Sequence, residues 1–120
     1  MNTVKGIIER AGYGSAIEMN AGENIEVSAP GVMDLTIEKI SQDRLSVAHY
    51  WTQRGDMMWD PEVVFEIGNS DWRPVEYRQD PLFHQMDSNG LDIDDFLETW
   101  NDNLEAQGFL EDVSEAASHE

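Results

Sequence analysis

Cysteine is absent from this chain of 120 residues. Its absence excludes a disulfide framework, a thiolate metal site and a thiol nucleophile, and it favours a reducing compartment, so we expect a cytoplasmic protein. Long apolar runs are missing too. The N-terminal segment MNTVKGIIERAGYG resembles neither a signal peptide nor a membrane span, so we expect no membrane partner. A hydrophobic content of 40% still allows a core, and the length predicts one domain with a radius of gyration of roughly 13–14 Å.

Basic residues are scarce. Seven Lys and Arg oppose 25 Asp and Glu, which gives a net charge of −18. Residues 1–55 contain seven acids and five bases, residues 56–120 contain eighteen acids and two bases, and residues 87–120 contain eleven acids and no base. Such a field repels nucleic acid and attracts basic protein surfaces. A halophilic surface does not fit the lopsided distribution, whereas acidity that only keeps the protein soluble remains an alternative.

Apolar spacing predicts one helix near each end of the chain. The spacing of Val4, Ile7, Ile8 and Ala11 predicts a helix over 2–11, ended by Gly12 and Gly14. A longer stripe predicts a helix over 92–107 that ends at Gly108; its members are Ile93, Phe96, Leu97, Trp100 and Leu104. Residues 1–109 are expected to form the domain, and the acidic segment 110–120 is expected to be disordered.

Alternating apolar residues predict strands over 34–40, 44–53, 62–67 and 72–80. The last strand is expected at a sheet edge, because Pro74 lacks the N–H that a central strand donates. Residues 13–33 are ambiguous, although ENIEVSA could form a short strand. The order of elements predicts an α+β fold, in which an antiparallel meander of about four strands packs against an N-terminal and a C-terminal helix.

The segment MDSNGLDIDDFLETW imitates a calcium-binding loop, with Asp87 and Glu98 at positions 1 and 12. In that register, however, Leu91 stands where an oxygen ligand is needed and Asp92 where glycine is needed. The start of a helix explains the same residues better, with Asp92 as the N-cap and further acids in the first turn. We therefore predict no metal and no other cofactor at this segment.

The segment 49–62 holds the densest group of side chains that could carry chemistry. A metal-dependent enzyme could use His49, Asp56 and Asp60 if these side chains converged. His49 shares a strand face with Leu45 and Val47, so a core histidine is the preferred interpretation. The three histidines lack metal-ligand spacing, and no nucleophile elbow, P-loop or dinucleotide fingerprint is present. We therefore predict no catalytic residue and no enzyme.

Met57 and Trp59 lie between Asp56 and Asp60 near a predicted strand connection. On a loop tip they would form an adaptable apolar anchor surrounded by charge, as protein interfaces use. The alternative is that they pack under the sheet or extend its strands. This second interpretation is preferred.

The block SVAHYWTQRGDMMWDPE, residues 46–62, resembles a family of small bacterial domains of unknown function that often occur on plasmids and phages. That family usually has Asn-Gly where this chain has Arg54 and Gly55. The segment IDDFLETWNDNLEAQGF, residues 93–109, resembles the closing helix of a related uncharacterised family. The resemblance covers residues 34–109 and implies an α+β fold and a mobile-element setting, but no established activity.

We expect an acidic protein-binding module of DNA-mimic type, which inhibits a basic, nucleic-acid-binding defence protein of the host and does not itself bind nucleic acid. Sixteen net charges correspond to roughly 27 Å of duplex. The expected surface combines the polar face of the C-terminal helix with neighbouring acids and the apolar pair; its residues are Asp80, Asp87, Asp94, Asp95, Glu98, Asp102, Glu105, Met57 and Trp59. The alternative is a plasmid or phage accessory domain whose acidity only maintains solubility.

Overall fold

The computed structural model describes residues 2–28, 34–53, 56–67, 72–79, 83–87 and 90–109; the side chains of 50–60 and 83 are outside that description. Its helices are α1 (Asn2–Arg10), a 3₁₀ helix (Ala16–Glu18) and α2 (Asp94–Ala106). Its strands are β1 (Asn24–Val27), β2 (Leu35–Ser41), β3 (Arg44–Gln53), β4 (Asp56–Glu66), β5 (Arg73–Gln79) and β6 (Phe83–Met86). The predicted acidic tail lies outside the described residues.

The strands form one antiparallel sheet in the order β1-β2-β3-β4-β5-β6. The α+β class and the two terminal helices are therefore confirmed, but the prediction of about four strands is wrong. The structure contains β1, which the sequence left open, and β6, which was not predicted. The sequence FHQM of β6 gives no apolar alternation, so only its pairing with β5 reveals it as a strand.

Pro74 is not on an edge strand, contrary to the prediction, because β5 lies between β4 and β6. Val64 pairs with Glu76, whereas Phe65 pairs with Pro74, so Val75 is an extra residue at a register shift. A bulge is one of the few places where a sheet accepts proline. The pairing of β6 begins only at Glu76, beyond the proline.

A second irregularity interrupts the long hairpin of β3 and β4. Ala48 pairs with Glu62 and Tyr50 pairs with Trp59, so Asp60 and Pro61 both lie opposite His49. The chain passes through this bulge without ending the strand. Strand β4 therefore begins at Asp56, six residues earlier than predicted.

Both helices pack on one face of the sheet. Val4, Ile7 and Ile8 of α1 and Trp100 and Leu104 of α2 join one buried cluster with apolar residues of the strands. The strand residues of this cluster include Leu35, Ile37, Leu45, Val47, Val63 and Phe65, which alternate along β2, β3 and β4. The radius of gyration, 13.8 Å, agrees with the value expected from the length.

The helix ends follow the glycine signals. The N–H of Gly12 donates to the Glu9 carbonyl and that of Tyr13 to the Ile8 carbonyl, while Gly12 has a φ of +105°. This is a Schellman motif, which satisfies carbonyls that the last turn leaves free. Gly108, with a φ of +86°, follows the end of α2, as predicted, and its N–H donates to the Glu105 carbonyl at 3.1 Å.

Candidate functional site

Helix α2 presents a continuous row of carboxylates. At about 100° per residue, five acids fall within an arc of about 100° around the helix; they are Asp94, Asp95, Glu98, Asp102 and Glu105. All five are exposed, and none forms a salt bridge with a described residue. At about 1.5 Å per residue they extend over about 16 Å of helix axis. This group of five is called the acidic face below.

The start of α2 corrects one prediction. Ile93, not Asp92, is at the N-cap position, and no side chain there accepts a capping hydrogen bond. Asp92 is exposed one residue earlier. The acids in the first turn are Asp94 and Asp95, where their negative charge is favourable near the positive end of the helix dipole.

Asn101 belongs to the helix interface and not to the acidic face. The side-chain oxygen of Asn101 accepts a hydrogen bond of 2.8 Å from the backbone N–H of Thr3. The Thr3 hydroxyl in turn donates to the backbone carbonyl of Asn101 at 3.2 Å. Thr3 lies in the first turn of α1, whose N–H groups have no partner within the helix. Asn101 therefore caps α1 and holds α2, with its acidic face, against it.

Three arginines of the sheet are separated from the acidic face. Arg44, Glu66 and Arg73 are register partners across β3, β4 and β5, and Glu62 pairs with Arg78. These positions alternate with the core residues Leu45, Val63 and Phe65, so they lie on the sheet face opposite the helices. On that face Arg73 forms a salt bridge with Glu66, and the Nε2 atom of His84 lies within hydrogen-bond distance of the Glu76 carboxylate, at 2.6 Å. Helix α2 itself contains no Lys or Arg.

The other predicted contact residues do not all join this surface. Asp87 is exposed and its backbone N–H donates to the Val75 carbonyl at 2.9 Å, just after β6. Asp80 lies outside the described residues. Met57 and Trp59 are within β4, where they pair with Thr52 and Tyr50, so their backbones extend the strands as the preferred alternative held. Their side chains are outside the description.

His49 is a core residue, as predicted. It is 7% exposed, its Nδ1 lies 3.3 Å from the Asp34 carbonyl oxygen, and its ring packs on Trp100 and Phe109. Asp60 is in the bulge opposite it, but Asp56 lies four residues further along β4, or about 13 Å away. A single ion cannot bind both His49 and Asp56 at this spacing. No cluster of three metal-binding side chains occurs among the described residues.

Sequence reasoning missed Lys39, which is fully buried. Its Nζ donates to the carbonyl oxygens of Ala16 and Met19, both at 2.9 Å, and of Ile17 at 3.4 Å. Burial lowers its pKa from 10.5, opposed by nearby Asp43 and Glu23. The signal was available, because Lys39 continues the alternation of the buried residues Leu35 and Ile37.

The chain belongs to a family described as a domain of unknown function (DUF6908), whose family model matches residues 2–110. This match confirms the expected membership of an uncharacterised family. No curated protein and no solved structure matches the chain significantly. Among the described helices, none is both long and apolar enough to cross a membrane.

Proposed function

We propose that this domain is an acidic protein-binding module that occupies the nucleic-acid-binding surface of a basic protein. The acidic face of α2 carries the proposal. It offers five exposed carboxylates on one side of a helix that contains no base. A partner with a positively charged groove would gain complementary charge along the whole helix.

The spacing of the carboxylates supports mimicry of DNA. Five phosphates of one DNA strand extend over about 14 Å of duplex axis, and the five carboxylates extend over about 16 Å of helix axis. From Asp95 onward, successive acids of the face are three or four residues apart, so their Cβ atoms are about 5–6 Å apart. An acidity that served solubility alone would not require carboxylates in such an order.

The resemblance to plasmid- and phage-borne domains suggests the biological setting. A mobile element benefits when it blocks a host restriction enzyme or CRISPR nuclease, and these proteins bind nucleic acid through basic surfaces. We therefore propose that the partner belongs to this class and that the interaction is non-enzymatic. The buried position of His49 and the distance of Asp56 from it do not favour a metal-dependent reaction.

The proposal is tested by charge reversal on the intact chain. Asp95→Lys with Asp102→Lys changes the net charge from −18 to −14, since two acids become two bases. Glu26→Lys with Glu38→Lys makes the same change at exposed positions on the opposite sheet face, and it serves as the matched control. Circular dichroism should show both variants folded.

Immobilised protein is then exposed to a bacterial lysate at low and high salt, and captured proteins are challenged with a 12-base-pair DNA duplex. We expect the wild type and the control to retain proteins that the duplex displaces, and the α2 variant to retain none of them. Capture should weaken at high salt. Retention by the α2 variant, or retention that DNA cannot displace, would overturn the proposal.

A further inference from the structure

A cleft of about 260 Å³ opens between α1, the segment 14–17 and the sheet. Lys5 and Glu9 line it from α1, Ala16 and Ile17 from the 3₁₀ helix, and Ile67 and Trp72 from the far side. Its volume is slightly below the usual range for ligand pockets, about 300–1,000 Å³, and such pockets are mostly apolar with a few polar groups. We propose that this cleft binds a free amino acid with a large apolar side chain.

The floor and one wall of the cleft are apolar. Ala16 and Ile67 are buried, whereas Ile17 leaves 47% of its surface exposed. Trp72 is half-buried, with its ring packed at 5.3 Å on that of Phe65. An apolar ligand side chain would cover Ile17 and remove this surface from water, which is favourable in proportion to the area covered.

The charged side chains that line the cleft are one cation, Lys5, and one anion, Glu9, and the lining also includes the hydroxyl residue Ser15. The Nζ of Lys5 lies 5.3 Å from the centre of the Trp72 ring, and neither Lys5 nor Glu9 forms a salt bridge with a described residue. Lys5 and Glu9 are adjacent on the helix surface, because they are four residues apart.

A ligand with both charges fits this pair. Its carboxylate would bind the Lys5 ammonium, and its ammonium would bind the Glu9 carboxylate. A simple anion would be repelled by the net charge of −18 and by Glu9. A simple cation would compete with Lys5 for the Trp72 ring. An amino acid carries no net charge and avoids both penalties.

The wall that carries Ile17 is held in place before any ligand binds. Buried Lys39 donates to the carbonyl oxygens of Ala16 and Ile17. Further along the segment, the Glu23 carboxylate accepts hydrogen bonds from the Tyr13 hydroxyl at 2.9 Å and the Asn20 N–H at 2.6 Å. A wall that is ordered in advance lowers the entropic cost of binding.

The experiment uses three ligands and the full chain. L-Phenylalanine carries both charges, N-acetyl-L-phenylalanine lacks the ammonium, and L-phenylalanine amide lacks the carboxylate. Each is titrated into ¹⁵N-labelled protein. We expect L-phenylalanine to shift the amide signals of Ala16 and Ile17 and the indole signal of Trp72, with saturation in the millimolar range or below. Each derivative should bind about tenfold more weakly or worse.

Two variants assign the charges. Lys5→Met should make L-phenylalanine bind no better than its amide, and Glu9→Gln should make it bind no better than its N-acetyl derivative. Arg10→Met and Glu38→Gln, outside the cleft lining, should leave all three affinities unchanged. No shift at the cleft would overturn the proposal. Equal binding of either derivative to the wild type would also overturn it, because that result indicates recognition of a peptide terminus.

Discussion

The Nζ atom of Lys39 lies 2.9 Å from the carbonyl oxygen of Ala16, although 23 positions separate the two residues in the chain. The contact fixes the 3₁₀ helix to β2. Lys39 forms no salt bridge with a described residue, so backbone carbonyls solvate its charge in place of water. Because burial of a charge is costly unless it is hydrogen-bonded, the geometry of this contact matters for stability.

Lys39→Met should lower the free energy of unfolding at pH 7 by about 2 kcal/mol. The substitution leaves the carbonyls of Ala16 and Met19 without their donor, which costs about 1–3 kcal/mol each, and part of this is offset because no charge is buried. Urea titration measures the change. Lys5→Met, at a half-buried position where the ammonium lies over the Trp72 ring, is the control and should change stability by less than about 1 kcal/mol. Equal stability of both variants would contradict the prediction.

The same lysine should make stability rise with pH in alkaline solution. Burial lowers the pKa of Lys39 below 10.5 in the folded state, so between the two pKa values the unfolded chain binds more protons. The burial of the Lys39 charge lowers the free energy of unfolding by a constant amount at pH values below the folded pKa. This loss of stability disappears as the pH approaches 10.5. The difference in unfolding free energy between wild type and Lys39→Met should therefore grow in favour of the wild type over this interval. A difference that stays constant or decreases over this interval would contradict the prediction.

Glu23 should contribute to acid sensitivity. Hydrogen bonds from the Asn20 N–H, and then from the Tyr13 hydroxyl, lower its pKa below 4.5. A lowered carboxyl pKa gives stability that is present above 4.5 and is lost as the pH falls through the folded pKa. Glu23→Gln should remove part of the decline in stability seen in acid titrations, whereas Glu38→Gln should keep it. Acid titrations measure the free energy of unfolding of both variants. If stability declines equally in the two, Glu23 is not a source of the acid sensitivity.

Asn101→Ala should destabilise the domain by about 1 kcal/mol. The substitution removes the acceptor for the Thr3 N–H in the first turn of α1, as the loss of an N-cap does. Asn103→Ala is the matched control, because Asn103 is an exposed asparagine on the same helix. In thermal unfolding, Asn103→Ala should change the free energy of unfolding by no more than about 0.5 kcal/mol. If both variants unfold alike, Asn101 does not serve as a cap.

The helices were predictable because their apolar residues recur at the helical period. The stripe from Ile93 to Leu104 and the stop at Gly108 locate α2 within two residues at each end. Its cap was not predictable in the same way. Asp92 has the right chemistry for an N-cap, but the chain begins the helix after Ile93. The sequence therefore indicates that a helix begins with acids, but not which residue takes the cap position.

The sheet was less predictable, because bulges disrupt the alternation on which strand prediction depends. Asp60 and Pro61 look like a strand boundary, yet β4 continues through them opposite His49. Pro74 looks like an edge residue, yet the extra residue Val75 lets β5 lie inside the sheet. The cleft could not be predicted at all. Lys5 and Trp72 meet only because the sheet brings the start of β5 against α1.

The sheet separates the acidic face of α2 from Arg44, Arg73 and Arg78 on the opposite side. Glutamates accompany these arginines on that face, whereas α2 contains no base, so among the described residues negative charge is less compensated on α2 than behind the sheet. A positive surface within about one Debye length, roughly 8 Å at physiological salt, would exert a torque on the domain before the two touch. In the proposed interaction the domain would approach with α2 towards the partner, so a larger fraction of collisions would occur in an orientation that can bind.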